Sequence, residues 1–227
     1  MTSKRAPVEV LFGQAAGAVS GIEDDLAMLE PAVAKPVART WACTETAVVL
    51  GASRDLAAEV DEAECAARDI AVLRRASGGG TVVIGPGTLQ YALAFSHDAG
   101  TEPPSIDAIK RRCSGLVRDA LAASGVIAAI GSDASGDLHV GSRKVAGVAL
   151  RRRRDATLLH GTLLVDADLG LIATLLHHPA REPAWRRGRP HLAFLAILGR
   201  FDADAFLQSL RRALQRRPLA PWDRAWR

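Results

Sequence analysis

The stretch LRRASGGGTVVIGPGTLQYAL, residues 73–93, places three consecutive glycines and a Gly-Pro-Gly between runs of β-forming residues. Short apolar runs bounded by glycine and proline are typical of strands joined by tight turns. We therefore expect a hairpin-like pair of strands, GTVVIG at 80–85 and LQYALAF at 89–95, joined at 85–87. One glycine is enough for a turn, so three in succession indicate that another group comes close to the backbone there.

The rest of the chain alternates helices and closely spaced strands. Helices are expected at 8–30, 57–67, 105–124, 168–176 and 202–214. Further strands are expected at 46–51, 70–75, 126–130, 137–140, 144–150 and 157–165. Strands that follow one another so closely pair mostly antiparallel, so the predicted class is α+β, with a single, largely antiparallel β-sheet and flanking helices. No clean linker appears before about residue 180, and we expect one domain over 1–227.

Composition excludes several classes of protein. At 227 residues, with 48% hydrophobic and 24% charged residues, the chain is suited to a globular fold rather than a disordered one. No apolar run approaches the ~20 residues of a membrane helix, and the N-terminus lacks the apolar segment of a signal peptide. Cys43, Cys65 and Cys113 form neither a disulfide framework nor a metal-ligand spacing. A cytoplasmic location without membrane association is expected.

The net charge of +4 is unevenly distributed along the chain. Residues 151–227 contain fifteen arginines, no lysine and seven acidic residues. A basic segment of this kind suits a nucleotide, a nucleic acid or an acidic protein partner. A solvated, arginine-rich surface is the alternative explanation.

The glycine run is a candidate anion site. Glycines let a ligand approach bare backbone N–H groups, and Arg74 and Arg75 just before them could bind a carboxylate or phosphate. The spacing matches neither the G-x-G-x-x-G of dinucleotide-binding folds nor the G-x-x-x-x-G-K-[ST] of phosphate-binding loops. A mobile loop without a ligand is the alternative.

The segment GSDASGDLHVGSRKVAG, residues 131–147, contains Lys144, one of only four lysines beside twenty-five arginines. A lysine in a glycine-flanked strand of such a chain indicates a specific role, because its ammonium is a compact point charge. Asp133 and Asp137 in the preceding loop could hold Mg²⁺ through oxygen. An exposed strand lysine without a role is the alternative.

The third candidate is LLHGTLLV, residues 158–165, where His160 lies in an apolar strand just before a glycine. A lone histidine in that setting is more often a hydrogen-bonded core residue than a catalytic one.

Together, these three segments in this order resemble the lipoate–protein ligase branch of the biotin/lipoate ligase and octanoyltransferase superfamily. The resemblance extends from Trp41 to about Leu198 and implies that family's class II synthetase-like catalytic fold over a core of about 38–200. It implies adenylation of lipoate or octanoate by ATP with Mg²⁺, followed by transfer to a lysine of a lipoyl-domain or glycine-cleavage H-type protein. Nucleic acid is not expected as a partner.

The resemblance also implies roles for particular residues. Lys144 matches the lysine that contacts the acyl carboxylate and the adenylate phosphate, and Asp133 matches an aspartate that helps hold Mg²⁺ and nucleotide. The other residues expected to bind the acyl-adenylate are Arg75, Ser77, Gly78, Gly79, Gly80, Gly147, His160, Gly161 and Thr162.

The chain also departs from the family pattern. The His-Asp pair that usually follows the glycines is replaced by Ile84-Gly85-Pro86-Gly87, and Ser132 stands where asparagine is common. The C-terminal accessory domain of many such ligases is not expected here, so a separate accessory subunit could supply it.

The sequence also leaves other functions to consider. A transferase that carries the acyl group on a cysteine is disfavoured, because neither position expected for that cysteine holds one. A cysteine-independent or atypical octanoyl or lipoyl transferase between carrier proteins remains an alternative. A biotin ligase lacks support because its characteristic loop and lysine segments are absent. A non-catalytic carrier-binding or nucleic-acid-binding module using Arg151–Arg154 remains an alternative.

Overall fold

The computed structural model describes residues 8–33, 35–97 and 104–216. Its helices are α1 Ala16–Ala27, α2 Leu56–Glu59, α3 Glu62–Ala67, α4 Ile106–Ala123, α5 Leu169–Leu175, α6 His191–Phe194 and α7 Ala203–Arg216. Its strands are β1 Val8–Phe12, β2 Val37–Trp41, β3 Ala47–Leu50, β4 Ala71–Arg75, β5 Val82–Ile84, β6 Thr88–Ser96, β7 Ile130–Ser132, β8 Leu138–Val140, β9 Arg143–Arg152 and β10 Ala156–Leu164. None of the helices in these ranges is long and apolar enough to cross a membrane.

The strands form two sheets. One has the order β1-β4-β3-β5, and the other has the order β2-β6-β10-β9-β8-β7. All neighbours are antiparallel except β3 and β4, which are parallel. The predicted α+β class with largely antiparallel pairing is confirmed, and its strands are divided between two sheets rather than gathered in one.

The turn at 85–87 carries the chain from one sheet to the other. It does not close a hairpin as expected, because β5 pairs with β3 whereas β6 pairs with β2 and β10. Gly87, at a φ of +78°, accepts hydrogen bonds from the backbone N–H groups of Val165 and Asp166. A Cβ there would lie 2.2 Å from the Asp166 carbonyl oxygen, so the crossing needs glycine.

The six-stranded sheet is covered on one face by α4 and α7. Side chains alternate along β10, so Leu159 and Leu163 pack in the core beneath these helices. His160 and Thr162 point to the opposite face, towards the other sheet. The polar residues of β10 are therefore presented on the face that the two helices leave free.

Helix α4 begins where the sequence predicts. The Ser105 side chain accepts a hydrogen bond from the Ala108 N–H at 3.2 Å and caps the helix. Its apolar stripe, which includes Ile109, Cys113 and Val117, is buried in the same core as β10.

The expected helix at 8–30 is wrong in its first third. Residues Val8–Phe12 form β1, which pairs antiparallel with β4, and the helix begins only at Ala16. An apolar spacing that suits a helix also suits a strand over five residues. The free edge of β4 decides between them, because pairing there satisfies the backbone of both segments.

Other boundaries also differ. The expected strand at 126–130 is a loop after α4 in which Ile127 is fully exposed, and β7 starts at Ile130. The helix expected at 57–67 is two short helices, α2 and α3, each begun by an aspartate whose side chain accepts a backbone N–H. Strand β2 and the short helix α6 were not expected.

Candidate active site

An open cavity of about 180 Å³ lies between the two sheets. Helices α1, α5 and α6 complete its walls. Seven of the residues singled out from the sequence line it, namely Arg75, Gly80, Lys144, Gly147, His160, Gly161 and Thr162. The other four, Ser77, Gly78, Gly79 and Asp133, are not part of its lining.

The loop of residues 76–81, here called the glycine loop, is held by the side chain that precedes it. Arg75 is only 6% exposed, and its Nη2 donates to the carbonyl oxygens of Gly78 and Gly80 at 2.7 and 2.8 Å. Its Nη1 donates to the Val49 carbonyl, and its Nε donates to Ser77 Oγ. Burial lowers the pKa of Arg75 to about 10, so the guanidinium stays charged at neutral pH. Arg75 thus shapes the loop, where the sequence suggested a ligand contact.

Two more arginines hold the same loop by its carbonyl groups. Arg54 Nε donates to the Gly79 carbonyl at 2.9 Å, and Arg54 is itself ion-paired with the buried Glu59. Arg151 Nη1 donates to the Ala76 carbonyl at 2.6 Å. Because the carbonyl groups are bound, the loop has one orientation, and the amide N–H groups of Gly79 and Gly80 donate to no residue in the described ranges. Free N–H groups held in this way can bind an anion.

The three glycines are not equivalent. Gly79 has a φ of +95°, and a Cβ on it would lie 3.0 Å from Arg75 Nη2. A Cβ on Gly80 would meet nothing within 4 Å, although Gly80 lines the cavity. Gly79 is therefore required by the loop's own conformation, whereas a side chain at position 80 would extend into open space beside the cavity.

Lys144 lies at the start of β9, with its ammonium at the cavity wall. Its Nζ is 2.8 Å from Asp137 Oδ1, and the Lys144 side chain remains 24% exposed. A Cβ on Gly147 would lie 2.9 Å from that Nζ, so the missing side chain makes room for the ammonium. The Lys144 carbonyl accepts the N–H of Ala196, which ties the strand to the segment after α6.

The Asp133 carboxylate is engaged in local hydrogen bonds. It accepts hydrogen bonds from the Ser135 hydroxyl and from the Asp137 N–H, so it closes a turn. No group of three potential metal ligands occurs among the residues described. The protein residues alone do not fit a Mg²⁺ ion here, and the role of Asp133 in binding metal stays a prediction.

His160 is joined to two buried side chains. Its Nε2 lies 2.7 Å from Ser77 Oγ, and its Nδ1 lies 3.1 Å from Asp25 Oδ2. Asp25 belongs to α1 and also lines the cavity. The sequence offered no signal for Asp25, because it is one of several acidic residues in a helix.

The two residues after His160 face opposite ways. A Cβ on Gly161 would lie 2.5 Å from the Tyr91 hydroxyl and 2.5 Å from the Gly147 carbonyl oxygen. The lack of a side chain at position 161 therefore allows close packing on the face that α4 and α7 cover, although the Gly161 backbone borders the cavity. Thr162 pairs with Gln90 on β6 and with Gly147 on β9, in one row across the cavity floor.

Sequence reasoning also missed two basic residues near the cavity, Arg186 and His191. Arg186 is 4% exposed, its guanidinium lies over the Phe194 ring, and its Nη2 has no hydrogen-bond partner within the described ranges. Burial lowers the pKa of both side chains, which favours the neutral form of the His191 ring. Both residues lie in the segment RRGRPHL, residues 186–192, which is part of the family resemblance, but the resemblance assigned no role to either of them.

The cysteines lie away from this cavity. All three are buried, and none is among its lining residues. Burial raises the pKa of Cys43, of Cys65 to about 11 and of Cys113 to about 12. Their thiols are therefore protonated at neutral pH and are poor nucleophiles.

Three solved structures resemble this fold. A bipartite lipoate protein ligase studied with its E2 lipoyl domain, from Thermoplasma acidophilum, has a TM-score of 0.65 at 21% identity, over 86% of this chain and 78% of that one. A lipoate-protein ligase A bound with ATP has a TM-score of 0.64 at 24% identity, over 85% and 77%. The T. acidophilum protein Ta0514 with bound lipoic acid has a TM-score of 0.61 at 23% identity, over 84% and 78%. At these identities the likeness establishes the fold.

Sequence comparison establishes the family. Lipoate-protein ligase A of Psychrobacter cryohalolentis is 30% identical over 147 residues, which are 63% of this chain and 40% of that protein. The chain thus matches about two fifths of the length of this curated relative. The model of the lipoyl protein ligase A/B catalytic domain matches residues 23–192. The resemblance inferred from the three motifs is confirmed, and the chain belongs to the lipoyl protein ligase A/B catalytic domain family.

Proposed function

We propose that this protein is a lipoate–protein ligase that forms or uses lipoyl-AMP and transfers the lipoyl group to a lysine of a lipoyl-domain protein. The observation that carries the proposal is the Lys144 ammonium, held by Asp137 at the wall of a cavity whose other side is the glycine loop. A relative bound with ATP and another bound with lipoic acid support ATP and lipoate as substrates.

Adenylation joins two anions, the acyl carboxylate and the α-phosphate of ATP, and releases pyrophosphate. Cationic and N–H donors must offset their repulsion and the negative charge that grows at the phosphate. In our proposal Lys144 provides the mobile point charge, and the amide N–H group of Gly80, which lines the cavity, provides a fixed donor. Mg²⁺ would enter with the nucleotide phosphates, which commonly share it with several waters and one or two carboxylates.

The acyl chain would lie along the apolar part of the cavity. Val83 from β5, Leu164 from β10 and Ile172 from α5 are among its walls. A hydrocarbon chain with a carboxylate at one end fits a cavity that is apolar along one side and carries an ammonium at another. The same chemistry accommodates lipoate or octanoate.

Transfer to the acceptor requires little beyond positioning. The acceptor lysine attacks the carbonyl of the mixed anhydride, an amide forms, and AMP leaves. The exposed arginines at 152–154, where β9 ends, give a basic surface for an acidic acceptor domain. A relative studied with its E2 lipoyl domain supports this class of acceptor.

A cysteine-based acyl transferase is the weaker hypothesis. It needs an ionisable thiol beside the lysine, whereas Cys43, Cys65 and Cys113 are buried with raised pKa values and lie outside the cavity lining.

The test is direct. The purified protein is incubated with lipoate, ATP and Mg²⁺, and the solution is analysed for lipoyl-AMP by mass spectrometry. A second reaction supplies synthetic lipoyl-AMP and a lipoyl domain and measures the mass of the domain. Lipoyl-AMP in the first reaction, or a lipoylated domain in the second, supports the ligase. Transfer only from a lipoylated or octanoylated carrier protein, without ATP, would contradict it.

A further inference from the structure

Ser77, His160 and Asp25 form one continuous hydrogen-bonded array. The distances are 2.7 Å from Ser77 Oγ to His160 Nε2 and 3.1 Å from His160 Nδ1 to Asp25 Oδ2. The three residues come from the glycine loop, β10 and α1, and they are 1%, 8% and 1% exposed. Each polar atom in the array is therefore shielded from water and depends on its neighbours for a partner.

The surrounding contacts determine where each proton lies. Asp25 Oδ1 also accepts hydrogen bonds from Trp41 Nε1 at 3.1 Å and Arg39 Nη1 at 3.3 Å, so its carboxylate acts as an acceptor throughout. The proton between Asp25 and His160 then belongs to His160 Nδ1. Ser77 Oγ accepts from Arg75 Nε at 2.9 Å and donates its own proton to His160 Nε2. This arrangement satisfies every group with a neutral Nδ1–H imidazole.

The same three residue types occur in hydrolase triads, but here the serine is not placed to attack a substrate. Ser77 is 1% exposed, is absent from the cavity lining, and already accepts a hydrogen bond from the Arg75 guanidinium. His160 and Asp25 border the cavity, whereas the Ser77 hydroxyl contacts His160 Nε2 and Arg75 Nε. The array therefore connects the cavity floor to the glycine loop.

We propose that Asp25 is a positioning residue for the ligase site: it holds His160 in the Nδ1–H tautomer, and His160 holds the glycine loop through Ser77. The inference rests on the proposed function for its effect on catalysis. Asp25 acts through His160 and Ser77, and it needs no contact with the reacting atoms.

The substitution Asp25→Asn keeps the shape of the side chain at position 25 but changes the tautomer that it favours in His160. The amide oxygen stays towards Trp41 and Arg39, so its NH₂ group faces His160 Nδ1. Two donors cannot share that contact, and the ring changes to the Nε2–H tautomer. His160 then donates to Ser77 Oγ alongside Arg75, and the Ser77 proton loses its acceptor. The glycine loop is left with an unsatisfied buried group.

The matched control is Asp24→Asn. Asp24 precedes Asp25, is 65% exposed, and pairs with the same Arg39 through Nη2 at 3.2 Å. It does not touch His160. Any effect of losing one negative charge near Arg39 appears in both variants, whereas an effect through the imidazole appears only in Asp25→Asn.

The first measurement is ¹⁵N NMR of the histidine rings without substrate, with the His160 signals identified from their absence in His160→Gln. We expect Nδ1–H in the wild type and Asp24→Asn, and Nε2–H in Asp25→Asn. Hydrogen exchange at the amide of Gly78, which donates to the Leu150 carbonyl at 3.1 Å, should be faster in Asp25→Asn only. An unchanged His160 tautomer, or unchanged exchange, would overturn the proposal whether or not the protein is a ligase.

The second measurement is the lipoylation rate. We expect KM for lipoate to rise roughly tenfold or more in Asp25→Asn, the effect of one unsatisfied buried group, with a smaller change in kcat. Ser77→Ala should raise KM similarly without changing the tautomer. The KM of the double variant should be no higher than that of the more affected single variant, because both substitutions break the same hydrogen-bonded array. Additive effects on KM would overturn the proposal. If Asp25→Asn does not fold, Ser77→Ala alone tests whether the array matters for KM.

Discussion

Lys144 and Asp137 form an ion pair, with 2.8 Å between Lys144 Nζ and Asp137 Oδ1. Asp137 immediately precedes β8, and Lys144 lies near the start of the neighbouring strand β9. Asp137 is 8% exposed in its side chain, so its carboxylate has little water to solvate it and depends on this ammonium. Gly147, three residues further along β9, leaves the space that the ammonium occupies. The sequence pattern suggested Asp137 as a Mg²⁺ ligand, whereas in the structure its carboxylate is paired with Lys144.

The first prediction concerns Lys144. Lys144→Arg should fail almost as completely as Lys144→Ala, because a planar guanidinium has no room between Asp137 and Gly147. We expect lipoylation to fall at least ~10²-fold in both variants, the size of effect seen when one charge-stabilising donor is removed. The measurement is the initial rate with lipoate, ATP and a lipoyl domain.

Lys35→Ala is the control for that experiment, since Lys35 is exposed and is not among the residues that line the cavity. Its rate should equal that of the wild type. A Lys144→Arg protein with wild-type activity would mean that general positive charge is enough, and the assigned role of Lys144 would be lost.

The second prediction concerns Asp137. Asp137→Asn keeps the shape of the side chain but removes the charge that orients Lys144. The rate should fall roughly 10- to 100-fold, because a small misplacement of a group that contacts the reacting atoms is costly. The free energy of unfolding should fall by about 1 to 3 kcal/mol, less than for a fully buried pair, because Lys144 is 24% exposed.

Asp119→Asn serves as the comparison, because Asp119 forms an exposed pair with Arg118. Its loss should change stability by well under about 1 kcal/mol and leave the rate unchanged. Equal behaviour of Asp119→Asn and Asp137→Asn in both assays would show that the Lys144 pair has no special role.

The third prediction uses the difference between two adjacent glycines. Gly80→Val should leave the melting temperature nearly unchanged, because its side chain meets nothing within 4 Å at Cβ, yet it should abolish binding of lipoyl-AMP. Gly79→Val should lower both, because φ is +95° and Cβ approaches Arg75. Calorimetric titration with synthetic lipoyl-AMP and thermal melts measure the two effects. Normal binding by Gly80→Val would mean that the ligand lies elsewhere.

The fourth prediction concerns the thiols. The triple variant Cys43→Ala, Cys65→Ala, Cys113→Ala should keep its lipoylation rate at a temperature where it is folded, although its melting temperature should fall because Cys65 and Cys113 fill core space. Alanine is preferred to serine there, because serine would bury a hydroxyl group. An acyl-thioester trapped on any of the three in the wild type would favour the transferase instead.

The thiols also predict the pH dependence of alkylation. Raised pKa values mean that the thiolate fraction of Cys65 and Cys113 increases only as pH approaches about 11 and 12. Iodoacetamide should therefore modify the folded protein very slowly at pH 8, and peptide mass spectrometry should find both thiols intact. Fast modification at pH 8 would contradict the burial described here.

Elements stabilised by neighbours in sequence were predicted well. Helix α4 follows from Ser105 and a regular apolar stripe, and β10 follows from a continuous run of β-formers. Strand β1 was taken for a helix because its partner, β4, lies some sixty residues away, and local spacing cannot report an edge supplied from that distance. The Gly-Pro-Gly turn was taken for a hairpin for the same reason.

The residues of the candidate site also fall into two groups, those that the sequence indicated and those that only the structure identified. Lys144, the glycine loop and His160 could be picked out because rare residue types and glycine spacing are visible in the chain itself. The partners that give them their roles could not. Asp25 is 135 positions from His160 in the sequence. Asp133 and Asp137 look alike in the sequence, and only the fold shows that Asp137 is the one beside Lys144. Arg75 was expected to face a ligand, and its donors are instead directed to the carbonyls of its own loop and of Val49.

By itself, then, the sequence determined the family, the class of fold and three of the segments that line the cavity, those of the glycine loop, Lys144 and His160, because these depend on residue type and short-range spacing. Only the tertiary structure decided the division into two sheets, the burial of the three thiols, and the array of Ser77, His160 and Asp25. The physical reason is that hydrogen bonds and ion pairs depend on distances of about 3 Å between atoms, and such distances between remote residues exist only after the chain has folded.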